Sequence, residues 1–132
     1  MKIVACLGTN CTGEKEFTAA VDDVCRRLSG ESGYICSCIY SSADADFPVG
    51  ADARYYLNAV FEFETDMDIA GLHGLCKSIE LEYGRDMTSR LHNRVPLDID
   101  IVIADGEILR PRDYAQEYFQ SGYTEIISGS GS

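Results

Sequence analysis

Long hydrophobic runs are missing from the chain. No apolar stretch approaches the ~18–20 residues that a membrane-spanning helix needs. The apolar stretch after Met1 is short and polar residues follow at once, so no signal peptide is expected and a cytoplasmic location is. Positive charge is also scarce: 11 Lys and Arg stand against 22 Asp and Glu, a formal net charge of −11. A general nucleic-acid or anionic-membrane binder normally carries the opposite sign, so neither partner is expected. Any anionic ligand must be met by a local basic patch. Histidine is sparse, and His73 and His92 lie too far apart to make a metal-ligand spacing by themselves. The six cysteines (Cys6, Cys11, Cys25, Cys36, Cys38, Cys76) form no CxxC pair. Cys36 and Cys38 would share one face of a strand, which suits a metal or redox site. The plainer expectation is free thiols used as small buried hydrophobes in a reducing compartment. No Walker A, GxSxG or HExxH sequence is present.

What is there is an ordinary globular composition. Of 132 residues, 45% are hydrophobic and 25% charged, which fits one domain with a sizeable core. The domain is expected to span 1–125, with 126–132, including the Ser/Gly run 128–132, as a disordered tail. Residues 2–7 read as a strand ended at Gly8. Phe17, Ala20, Val21, Val24 and Leu28 recur at helical spacing and predict a helix over 13–28. Strands are predicted at 34–40, 56–63 and 97–103. A second helix is predicted over 69–83, with Asp68 as N-cap and Gly84 as the stop. Asp105-Gly106 makes a tight turn into a short hairpin arm. Residues 111–125 are weakly patterned, and 41–54 and 85–96 read as long loops. The order β-α-β-β-α-β, with no internal repeat or linker, predicts an α+β ferredoxin-like sandwich: an antiparallel sheet with two helices on one face. That fold hosts unrelated functions, so function must come from side chains.

The most specific element is Asp98-Ile99-Asp100 inside an otherwise apolar strand. Two carboxylates on one strand face repel unless protons or a cation sit between them. Mg²⁺ is held in this way, by one or two carboxylates and substrate phosphates. The alternative is a pair of solvated aspartates, although strand interiors are poor in Asp. A basic cluster accompanies the pair: Lys77, Arg85, Arg90 and Arg94, with Arg110 and Arg112 just beyond the aspartate strand. Arginine forks suit phosphate, and a basic loop leading into a carboxylate strand suits a Mg²⁺-nucleotide site; a solvated basic loop is the other reading. Tyr56 and Asn58 share a strand face and can stack on and hydrogen-bond a flat heterocycle, or serve as core. Glu80 on the second helix reads by default as a surface residue.

Together these residues resemble the 6-hydroxymethyl-7,8-dihydropterin pyrophosphokinase family. The likeness runs through Gly8-Thr9-Asn10, Tyr40-Ser41-Ser42, Tyr56-Leu57-Asn58, Ile79–Arg85 and Leu97-Asp98-Ile99-Asp100-Ile101, and spans roughly 1–119. The resemblance implies a magnesium-dependent transfer of pyrophosphate from the co-substrate ATP to a pterin hydroxymethyl group, releasing AMP. The rival is a homologue that binds pterin or nucleotide without turnover. It implies two Mg²⁺ on Asp98 and Asp100, with Arg85 and Arg94 as further catalytic residues. Ser42, Tyr56, Asn58 and Phe119 would meet the pterin, and Glu80, Arg85 and Arg112 would meet ATP. A monomer is expected. The chain departs from the family pattern at Val95, which stands in the loop-arginine position one after Arg94, and at Ala43-Asp44 in place of Pro-Pro. Arg112 stands where the family has histidine, and the C-terminal end is short.

Overall fold

Alternation along the first strand decides the architecture. In β1 (Lys2–Thr9), every residue after Lys2 is buried, so both faces of this strand are covered. Ile3, Ala5 and Leu7 enter one core cluster, while Val4 and Cys6 enter another. A strand buried on both faces belongs in the middle of a sheet with a layer on each side. The computed structural model describes residues 1–10, 13–43, 55–84 and 97–130. In it β1 pairs antiparallel with β4 (Tyr55–Glu64) and with β5 (Asp98–Ala104). The remaining strands are β2 (Tyr34–Cys36), β3 (Tyr40–Ala43) and β6 (Glu107–Ile108). The sheet order is β2-β4-β1-β5-β6, with β3 also on β4, and all pairings are antiparallel.

The first face carries α1 (Glu14–Ser29) and α2 (Ile69–Glu82). Phe17, Val21, Val24 and Leu28 of α1 meet Leu72, Cys76 and Ile79 of α2 over Ala59, Phe61, Ile99 and Ile101 of the sheet. Asp68 caps α2, accepting the Gly71 N–H at 2.7 Å. Gly84 follows the helix at φ 95, a conformation glycine adopts without strain.

Three expectations change. The strand predicted over 34–40 is two strands. At the break, Ser37 N–H donates to the Val60 carbonyl (2.8 Å) and Val60 N–H donates to Ser37 Oγ (3.0 Å), so a side chain replaces one rung of the ladder. Helices also lie on both faces. After the turn α3 (Pro111–Tyr114), α4 (Glu117–Ser130) packs on the second face, with Phe119 and Ile126 over Val4, Cys6, Val60 and Val102. Its Gly122 lies so close to β4 that a Cβ there would sit 2.6 Å from Val60 Cγ2. Finally, α4 runs past 125. Phe119, Gly122, Tyr123 and Ile126 are spaced i, i+3, i+4, i+7, one helical face; Ile126 is 1% exposed and belongs to the core rather than to a tail.

Candidate functional site

The α4 helix covers only part of the second face. Sheet register lines up what it leaves open. Asp98 pairs with Gly8, Gly8 with Asn58, and Asn58 with Tyr40, forming one row across four strands. Two residues along, Asp100 pairs with Cys6 and Cys6 with Val60. Paired and i, i+2 positions share a face, so both aspartates, Asn58 and Tyr56 point the same way. They line a cleft of about 210 Å³, closed at its rim by Asp113, Gln116 and Tyr118. Gly8 keeps the row open: a Cβ there would stand 3.4 Å from the Tyr56 ring and 3.5 Å from Asn58 Oδ1. The Asn58 amide is held by its Nδ2, which donates to the carbonyls of Tyr40 (3.2 Å) and Tyr56 (3.3 Å).

Charge in the cleft is concentrated on the aspartate pair. Burial pushes the Asp100 carboxyl up to about 8, helped by the adjacent Asp98 charge and a hydrogen bond to Asp98. Asp100 is thereby held toward its acid form. Arg110 opposes this rise weakly, with Nη2 3.6 Å from Asp100 Oδ1, while its Nε is paired with Asp113. The Cys6 thiol beneath is pushed well above its ordinary value, first by burial and then by the Asp100 charge. A half-buried pair of neighbouring carboxylates is a donor set that a hard divalent cation relieves, with substrate oxygens completing its shell. Among the described residues no group of three or more His, Cys, Asp or Glu is placed to hold a metal alone.

A family model described as 7,8-dihydro-6-hydroxymethylpterin-pyrophosphokinase matches residues 4–127 of the 132-residue chain. The chain belongs to that family. It is thereby a transferase, a pyrophosphokinase of a hydroxymethyldihydropterin in folate synthesis, in a family that uses ATP and Mg²⁺. No curated protein matches the chain. Among the described residues no helix is long and apolar enough to cross a membrane.

Of the residues that the pyrophosphokinase resemblance singled out, Asp98, Asp100, Tyr56 and Asn58 come together in the cleft. Ser42 pairs with Tyr56 in the β3–β4 ladder. Arg85 and Arg94 lie outside the described residues, as do Arg90, His92 and Val95. Arg112 is exposed on α3 and outside the cleft lining. Glu80 is not a surface residue: it is 8% exposed, and its Oε2 accepts the Ile99 N–H at 2.8 Å. It thus fixes the backbone amide between the two aspartates. Phe119 is fully buried, with its ring against Tyr114 and Tyr123 and outside the cleft lining. The aromatic at the rim is Tyr118. Helical phase was the available signal: with Phe119 and Ile126 turned to the sheet, Tyr118 falls one position round, at the edge of the covered surface.

Proposed function

We propose that the cleft binds the hydroxymethyldihydropterin and the phosphates of Mg²⁺-ATP side by side, and that Asp98 and Asp100 are the metal ligands. The observation that carries this reading is the half-buried aspartate pair, in line with Asn58 across Gly8. Magnesium, once bound, supplies charge neutralisation on the phosphates. The chain's own contribution is position. Asn58, its Nδ2 hydrogens held by the Tyr40 and Tyr56 carbonyls, offers its Oδ1 as acceptor to an N–H of the pterin. Tyr56 and Tyr118 flank the ring, Tyr118 taking the stacking role that the family pattern gives to Phe119. Glu80 keeps the Asp98–Asp100 backbone rigid and reaches ATP only through that strand.

Arg85, Arg94 and Arg112 hold the triphosphate as planar bidentate donors. The pterin hydroxyl attacks the β-phosphorus in line, the bond to the α-phosphate oxygen breaks, and AMP leaves. No side-chain base is assigned, so orientation and electrostatics carry the barrier reduction. An AMP-release assay with ATP, Mg²⁺ and 6-hydroxymethyl-7,8-dihydropterin tests this reading. Turnover that Asp98→Ala abolishes supports it. Tight binding of both ligands without AMP would establish the binding-only homologue instead.

A further inference from the structure

We propose that Glu125 is a positioning residue for the pterin, acting through Tyr40 on the Asn58 amide; the inference rests on the assignment of Asn58 to the pterin edge. Glu125 lies on α4 three residues after Gly122, on the same helical face. Both meet the sheet at the break between β2 and β3, where a Cβ on Gly122 would stand 3.2 Å from Ser37 Oγ. Glu125 Oε1 accepts the Cys38 N–H at 3.0 Å. Its Oε2 accepts the same N–H at 3.2 Å and the Tyr40 hydroxyl at 2.6 Å. Tyr40 is the first residue of β3 and pairs with Asn58. Its carbonyl accepts from Asn58 Nδ2 at 3.2 Å. A line of contacts thus runs from the covering helix to the amide in the cleft.

The two carbonyls that hold Asn58 Nδ2 are not equally secure. The Tyr56 carbonyl belongs to β4 itself and comes with the strand. The Tyr40 carbonyl belongs to a separate strand of four residues, and residues 37–39 before it lie outside any strand. Sheet pairing therefore supports Tyr40 from one side, and the Glu125 carboxylate supports it from the other. This matters because a primary amide is nearly symmetric in shape, and turning it over exchanges donor and acceptor. With the Tyr40 carbonyl in place, turning would set Asn58 Oδ1 against another carbonyl oxygen. Oδ1 is so kept toward Gly8, whose Cβ would stand 3.5 Å from it. Charge strengthens the hold. The Tyr40 hydroxyl keeps the Glu125 carboxyl below its ordinary range, and Glu125 pushes the Tyr40 phenol up to about 12. Glu125 itself does not line the cleft, so it acts through Tyr40 and not by touching a ligand.

The test has a ligand-free arm and a ligand arm, both on the full chain. In nitrogen-15-labelled protein without ligand, the Asn58 side-chain amide resonances should move in Glu125→Ala. They should move less in Tyr40→Phe, which removes only the hydroxyl. Glu125→Gln keeps an acceptor oxygen and should leave them near the parent positions. By calorimetry, Glu125→Ala should weaken 6-hydroxymethyl-7,8-dihydropterin about fivefold, and Mg²⁺ with a non-hydrolysable ATP analogue by less than about twofold. Glu125→Gln should restore most of the loss. In an Asn58→Ala background, Glu125→Ala should add no further loss, as expected of residues that act in series. Unmoved Asn58 resonances, equal losses for both ligands, or a pterin loss that persists in the Asn58→Ala background would each overturn the inference. A parent chain that binds no pterin overturns the reading of the cleft instead, while the Asn58 resonances still decide whether Glu125 holds the amide. Tyr40→Phe carries both arms if Glu125→Ala does not fold.

Discussion

Replacing Asp100 by asparagine keeps the shape of the side chain and its hydrogen bond to Asp98, and removes the carboxyl that burial holds in its acid form. In the folded metal-free protein this group titrates at about 8, against an ordinary value of 3.8. Between those limits the folded state binds one proton more than the unfolded chain, so stability falls as pH rises, by roughly 1.4 kcal/mol per pH unit. From about pH 5 to about pH 7 the parent should lose roughly 2–3 kcal/mol that the Asp100→Asn variant keeps. For a domain of this size that is roughly 5–10 °C in melting temperature. Thermal melts in EDTA at several pH values measure the difference, and subtracting the two profiles cancels every other titrating group. Mg²⁺ with a nucleotide analogue should flatten the parent's slope, because a bound cation takes the place of the proton; the variant should show little ligand-linked stabilisation. Parallel pH profiles for parent and variant would refute the argument that burial, helped by the Asp98 charge, holds Asp100 toward its acid form.

Phe119→Ala should cost about 3–5 kcal/mol in urea unfolding, as expected for an aromatic removed from a core, whereas Tyr118→Leu should cost little stability and weaken pterin binding about tenfold by calorimetry. Asn58→Ala should likewise weaken the pterin about tenfold, a loss of roughly 1–3 kcal/mol, with the ATP analogue nearly unaffected; equal losses for both ligands would remove Asn58 from the pterin edge. Gly122→Ala should destabilise by about 1–3 kcal/mol through overpacking against Val60, readable as a lower urea midpoint at unchanged slope. Glu80→Gln keeps an acceptor for Ile99 N–H and should retain most stability, while Glu80→Ala should lose roughly 1–3 kcal/mol.

Much of this site was legible because period-two patterning carries into three dimensions without ambiguity. Asp98 and Asp100 had to share a face, and Tyr56 and Asn58 had to share one too. What the one-dimensional pattern leaves open is which faces meet, and register supplies that: Gly8 stands between Asn58 and Asp98 on the same row. Two placements that the linear pattern does not show have a common cause in tertiary contact. Glu80 reads as a surface residue by its charge, yet it follows Leu72 and Cys76 at four-residue steps, and the Ile99 amide of β5 donates to it. Phe119 is picked out by the family resemblance, and Gly122 is what lets α4 approach β4 closely enough to bury it. Glycine and serine there read as a loosening sequence in isolation; against Val60 they are the condition for tight packing. The same close approach sets the limit of the cleft, since where α4 covers the sheet there is core, and where its start leaves Asp98 and Asp100 uncovered there is room for a ligand.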